Sequence, residues 1–415
     1  MRKLLLIGIV LGITCTSFAQ LAFKETKREN RDRLYRNIIR NSINGNLSKP
    51  LTDSTEEYWQ DAFWSMLVIN YTSPWVNNKI QYAFQGIHER STDFKRSLLE
   101  MVYNLYPGKY SEEINSIANT DTVLSVFAMA VASSLQNTQR DHENINRLIL
   151  EKIKKNPDHI LLKQLEDYFF NKIEYPDTGQ LQLLLSKNFL PGNELLISIQ
   201  RHNRNYPGLM IFRNANGDFL KDSNGIIVHY PQLARSLTNL PWFFKNGNTP
   251  QGIYQMAGFS VSSSAFIGPT PNLQMRMPFE IWPSTFLQTH PIDSAWQLEK
   301  YRDLFPEPLR NFTPLFQSYY AGNLGRTEII AHGTTVDPKY YQSMPFYPLT
   351  PTQGCLTTKE IWDEETGIIK VSDQRKMVDA LLASGGSKGY VLVFEINDLQ
   401  KPVELSEILP FLENQ

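Results

Sequence analysis

Between about residue 22 and residue 190, apolar residues return every three or four positions, the period that paints one apolar stripe along a helix. "STEEYWQDAFWSMLVINY" opens with Ser54 and Glu57 at capping-box spacing and continues through Trp59, Phe63, Met66 and Leu67. "TDFKRSLLEMVYNLY", "TDTVLSVFAMAVASSLQ", "HENINRLILEKIKKN" and "HILLKQLEDYFFNKI" repeat the pattern, with breaks at Pro107-Gly108, Pro157 and Pro176. The spacing predicts an all-α region of antiparallel hairpins over residues 20–193. Its most apolar run, Val123 to Leu135, is expected as a central buried helix. No motif in it carries catalytic chemistry.

Near residue 194 the period shortens. "ELLISIQ", "GLMIFRN", "GIIVHYP", "GIYQMAGFSVS", "RTEIIAHG", "TGIIKVS" and "GYVLVFEIN" are short β-branched or aromatic runs bounded by Gly, Asn, Asp and Pro. "NANGD" between two of them is a hairpin signal. Only "SDQRKMVDALLAS" and parts of 292–319 read as helix. The expected fold class is therefore α+β, with the all-α region followed by a mostly β region over 194–415. Residues 288–322, rich in aromatics and proline, interrupt the strands as an insertion, either a lid over a site or a packing element.

The chain starts with a basic pair, Arg2 and Lys3, an apolar run from Leu4 to Ile13, and Ser17-Phe18-Ala19. This is the layout of a secretory signal over residues 1–19, and its apolar run is shorter than the ~20 residues that span a bilayer. A lipidated Cys15 is the alternative, poorly served by Gly12-Ile13-Thr14 before it. The expected location is the periplasm or cell envelope, with no transmembrane segment in the mature chain.

A net charge of −1 removes the electrostatic case for nucleic acid or an anionic membrane. Seven histidines are scattered without metal-ligand spacing, so neither a metal nor a cofactor is expected.

Cleavage after Ala19 would remove Cys15 and leave Cys355 as the last of two cysteines, unpaired in an oxidising compartment. Such a residue is either a small buried hydrophobe or a nucleophile. A thiol attacks an acyl carbon only as the thiolate, which calls for a base, and the resulting oxyanion calls for N–H donors. His332, at the end of the apolar run "EIIA", is the candidate base. Gly354 permits a tight turn that aims the N–H groups around Gly354 and Cys355 at a carbonyl. Papain-like enzymes place the cysteine first, the reverse of this order. Caspases separate the pair by about 50 residues, more than here, and need a glycine where this chain has Thr357.

His332-Gly333-Thr334 followed by Thr352-Gln353-Gly354-Cys355-Leu356-Thr357 resembles the catalytic domain of the L,D-transpeptidases, the YkuD-like family. "NTPQGIY", with Thr249, Pro250, Gly252 and Tyr254, is similar to a second family element, and Met277-Pro278 to a third. The likeness covers about residues 194 to 400. It implies a Cys355 thioester formed from a peptidoglycan stem peptide with His332 as base, and release of D-alanine. The acyl group then passes to an amine, making a 3-3 crosslink, or to water.

Under that resemblance Thr352 borders the site and holds the imidazole or substrate, or else stabilises the turn. Gly333 and Thr334 shape the strand end. Thr357 replaces the arginine many members carry, and Arg326 is either its stand-in toward a substrate carboxylate or a solvated strand-edge residue. The group orienting His332 stays open among Ser343, Thr334 and a backbone carbonyl. An inactive wall-binding or scaffold protein of the same fold, and an unrelated exported thiol hydrolase, are the competing readings.

Overall fold

A computed structural model describes residues 21–136, 142–289 and 295–412. The leader expected over residues 1–19, with Cys15, lies outside them. The chain folds as a mixed α/β protein with a large, nearly closed sheet.

The helical part comprises α1 (Arg28–Asn37), α2 (Glu56–Val68), α3 (Pro74–Phe84), α4 (Thr92–Leu105), α5 (Ser111–Thr120), α6 (Leu124–Leu135), α7 (His142–Lys155), α8 (Ile160–Phe170) and α9 (Thr178–Leu185). α6 is the buried centre: every residue from Val126 to Ser134 is shielded from solvent. The cap before α2 differs from the expected one. Thr52 and Thr55, rather than Ser54 and Glu57, exchange the reciprocal bonds, because a short tight turn over Asp53–Thr55 precedes the helix. Glu57 therefore starts too late to reach back.

The strands are β1 (Leu195–Arg201), β2 (Gly208–Arg213), β3 (His229–Gln232), β4 (Gly252–Ser260), β5 (Asn272–Arg276), β6 (Ile330–His332), β7 (Leu356–Thr357), β8 (Glu360–Trp362), β9 (Ile369–Ser372) and β10 (Tyr390–Asn397). β8 and β9 form a separate hairpin, and the other eight lie in the order β3-β2-β1-β10-β4-β5-β6-β7. The chain leaving β3 then meets the far edge: Leu233 and Thr357 exchange two backbone bonds of 2.8 and 2.9 Å, and Leu237 N–H donates to Thr352 at 2.6 Å. The sheet thus curls until its two ends are joined by residues 233–237.

The central strands are apolar on both faces, which is why they read as continuous runs. Leu196, Met210, Phe212, Tyr254, Val391 and Val393 belong to one apolar cluster, continuous with the helical core. Their alternate neighbours, among them Ile197, Ile211, Ile253 and Leu392, belong to a second. Of the remaining helices, α13 (Asp373–Ser384) lies within the curl and touches β2, β3 and β5, while α9 and α14 (Leu405–Leu412) cover the second face.

That second face is also covered by residues 295–322, which carry α11 (Leu298–Arg302) and α12 (Gln317–Asn323), preceded by α10 (Pro283–Leu287). Tyr301, Phe305, Leu309, Phe312, Leu315 and Phe316 from this segment are buried against the sheet. The described part of the insertion thus packs against the second face of the sheet. No helix among the described residues is long and apolar enough to cross a membrane.

Candidate active site

β6 and β7 run parallel, with Ala331 opposite Leu356 and His332 opposite Thr357. Cys355 lies one residue before β7, and its Sγ is set against the Glu328 carbonyl and the Ile330 N–H of the chain entering β6, two positions ahead of His332. Two residues at about 3.3 Å each along the strand and ~4.8 Å between strands put the two backbone positions roughly 8 Å apart, and no hydrogen bond joins the sulfur to the imidazole among the described residues.

The imidazole is held by its own chain. His332 Nδ1 donates to the Gly333 carbonyl at 2.5 Å, which puts the proton on Nδ1 and leaves Nε2 as the lone-pair nitrogen, with no hydrogen bond among the described residues. Of the three candidates for orienting His332, a backbone carbonyl is the one used. Ser343 is exposed, and the Thr334 hydroxyl is occupied by Thr350 and the Val336 N–H. Burial dominates the charge state: it pulls the His332 pKa down to about 4, against a smaller upward push from the Gly333 bond.

The thiol is half-buried and free. Its Sγ lies 3.7 Å from the Glu328 carbonyl. Burial pushes its pKa up to about 11, outweighing the Ile330 N–H and the Arg326 charge that favour thiolate. The resting pair is therefore neutral imidazole and neutral thiol.

Gly354 adopts φ +113°, and a Cβ there would sit 2.4 Å from Arg326 Nη2 and 2.6 Å from the Gly247 carbonyl, so glycine is required twice over. Its N–H is not aimed at a substrate: it donates to Thr352 Oγ1 at 3.1 Å, and the same hydroxyl donates to the Cys355 carbonyl at 3.0 Å. Thr352 thus locks the turn and does not touch the imidazole. The donor left is the Cys355 N–H, unpartnered among the described residues. Thr249 Oγ1 donates to the Gly354 carbonyl at 2.9 Å, and because carbonyl and N–H point oppositely across a trans peptide, this bond aims the Cys355 N–H away from Thr249.

Arg326 is neither solvated nor free to meet a substrate. Only 3% exposed, it donates to the carbonyls of Trp242, Gly247 (2.9 Å) and Asn248 (2.8 Å), clamping the loop that backs Gly354. The substrate-binding role considered for it gives way to a structural one, since its guanidinium is spent on carbonyls. Thr334 is likewise buried and spent: its N–H donates to Glu360 Oε2 at 3.0 Å and its carbonyl accepts from Trp362 Nε1 at 3.0 Å. Gly333 leaves room for Glu360, whose carboxyl a Cβ would meet at 2.3 Å.

Glu360 escaped the sequence reading. It is 4% exposed and accepts from Thr334 N–H and from Ser372 Oγ at 2.8 Å, yet burial still raises its pKa to about 7. Its only signal was an acid inside a short β-type run. Gly252, in "NTPQGIY", answers to packing: at φ +126° a Cβ would strike Ser318, Tyr301 and the Leu315 carbonyl. Tyr254 closes that turn by donating to the Pro250 carbonyl at 2.6 Å.

Comparison with protein-family models, with curated proteins and with solved structures finds no match to this chain. The functional reading therefore rests on the site's own geometry and on the motifs.

Proposed function

We propose that the chain is an exported cysteine acyltransferase acting on peptidoglycan stem peptides, as an L,D-transpeptidase or L,D-carboxypeptidase with a YkuD-like catalytic domain over 194–415 and a helical domain over 20–193. The observation that carries the reading is the place of Cys355 at the entry to β7, the strand that runs parallel beside the one bearing His332, with the Nδ1 proton already committed to Gly333. Nε2 then takes the Cys355 proton as the sulfur attacks the stem carbonyl. The Cys355 N–H meets the developing oxyanion. D-alanine leaves with a proton returned from His332, and the thioester is resolved by an amine or by water. Because both groups rest neutral, the proton moves only as substrate charge develops beside that N–H, not beforehand.

One observation favours a non-catalytic wall-binding protein of the same fold. Thr357 Oγ1 is tied to the Thr350 carbonyl and Arg326 is clamped, so neither offers a free group to a substrate carboxylate. Intact-protein mass spectrometry after exposure to a carbapenem decides between the two. A single adduct on Cys355, absent in Cys355→Ala, together with D-alanine release from isolated stem peptides, is expected of the enzyme. An unmodified wild type that releases no D-alanine establishes the binding protein instead.

A further inference from the structure

Two hydrogen bonds meet on one peptide. The Gly333 carbonyl accepts from His332 Nδ1 at 2.5 Å, and the Thr334 N–H of the same peptide donates to Glu360 Oε2 at 3.0 Å. Carbonyl and N–H point oppositely across a trans peptide, so imidazole and carboxyl sit at the two ends of a single dipole. Glu360 is fixed in that place. β8 pairs with β9 so that Glu360 stands opposite Ser372, whose Oγ donates to Oε1 at 2.8 Å. The carboxyl also packs against the bare Cα of Gly333, where a Cβ would meet it at 2.3 Å. The proton transfers proposed above make no use of this buried acid.

We infer that Glu360 is a positioning residue for His332: its ionised carboxylate polarises the Gly333–Thr334 peptide, whose carbonyl then holds the imidazolium formed when Nε2 takes the Cys355 proton. The step rests on the acyltransferase reading; the geometry does not. A carboxylate on the N–H pushes electron density toward the carbonyl oxygen, because linked hydrogen bonds polarise one another in a low-dielectric interior. A protonated carboxyl does so less, since the bond is no longer charge-assisted. The charged group acting on Glu360 is Asp373 of α13, itself paired with Lys359 and Lys376. On the other elements packed about the carboxyl, Lys370 of β9 is paired with Asp363, Asp337 beyond Thr334 is paired with Arg28, and His332 is the titratable residue of β6. Burial sets Glu360 at about 7, His332 at about 4 and Cys355 at about 11, so of the three only Glu360 changes charge near neutral pH.

The test uses the full chain with isotope-labelled histidine in NMR. The His332 Nδ1–H signal, assigned by its absence in His332→Asn, should shift with an inflection near pH 7 while the ring stays neutral, and Glu360→Gln should flatten it. D-alanine release from saturating stem peptide should rise through the same inflection. At about pH 8, Glu360→Gln should lower kcat about tenfold with KM unchanged, the scale of one charge-assisted bond made neutral. Ser372→Ala, which takes a donor from the ionised carboxylate, should move both inflections to higher pH. A signal indifferent to pH between about 5.5 and 8.5 would overturn the inference, as would an inflection that persists in Glu360→Gln or stays in place in Ser372→Ala. An unchanged kcat in Glu360→Gln would overturn it too. The imidazole signal needs no turnover. A wild type that shifts it but releases no D-alanine fails the acyltransferase reading, since the carboxylate still acts on the ring, whereas D-alanine release with a flat signal removes the positioning alone.

Discussion

Thr249 and Gly354, 105 residues apart in sequence, are joined by one buried hydrogen bond of 2.9 Å from hydroxyl to carbonyl. That bond fixes the peptide plane whose other side is the Cys355 N–H, so a residue from the β4 approach sets the direction of a donor beside the thiol.

Thr249→Val removes the donor and leaves the Gly354 carbonyl buried without it. A loss of about 1–2 kcal/mol in urea unfolding is expected. The freed turn should also make Cys355 react faster with a disulfide reagent. Thr249→Ser should restore both. Unchanged thiol kinetics in a destabilised Thr249→Val would show that the bond serves stability alone.

The thiol itself should titrate late. With its pKa pushed up to about 11, alkylation by iodoacetamide should keep rising with pH up to that region. A plateau already reached near neutral pH would mean a thiolate–imidazolium pair in the resting protein.

His332 and Glu360 pull stability in opposite directions over nearly the same pH range. His332, down to about 4 from 6.5, contributes stability that is complete above pH 6.5 and lost as pH falls through 4. Glu360, raised to about 7 from 4.5, contributes stability that is complete below pH 4.5 and lost as pH rises through 7. Between about pH 4.5 and 6.5 the two slopes, each at most about 1.4 kcal/mol per unit, oppose one another. Glu360→Gln should leave stability rising with pH there, and His332→Asn should leave it falling, relative to wild type. Denaturant midpoints in that window with the same slope in all three proteins would refute both assignments.

Gly333→Ala forces a methyl into the Glu360 carboxyl. A cost of about 1–3 kcal/mol is expected from the overpacking. Glu360→Ala should relieve much of it, so the double variant should be less destabilised than the sum of the singles. Strict additivity would place the clash elsewhere.

Arg326→Lys discriminates between clamp and substrate cation. Three carbonyls lose a planar donor that an ammonium cannot replace, and a loss of several kcal/mol in folding stability is expected. A variant of normal stability with only a raised KM for stem peptides would return Arg326 to the substrate.

Much of the fold was legible where local pattern and global environment agree. β1 and β10 read as strands because both of their faces are apolar, and "SDQRKMVDALLAS" read as the helix that became α13, capped by Ser372 Oγ on the Arg375 N–H. The site was legible as residue types, and less so as roles. Arg326 looked like a charge on a strand edge because its partners are backbone carbonyls, which have no spelling in the sequence. Glu360 was silent for a related reason: the two groups that explain it, the bare Cα of Gly333 and the hydroxyl of Ser372, come from other segments. Thr352 was read from both sides, and only the reach of its hydroxyl to Gly354 and Cys355 assigns it to the turn.

The join between Leu233 and Thr357 has a temporal meaning as well as a spatial one. During synthesis the turn bearing the sulfur stays unanchored until both edges of the curled sheet exist, and β10, which stitches β1 to β4, emerges later still. A chain cut before β10 is therefore expected to leave Cys355 open to a disulfide reagent, whereas the folded full-length protein shields it in part.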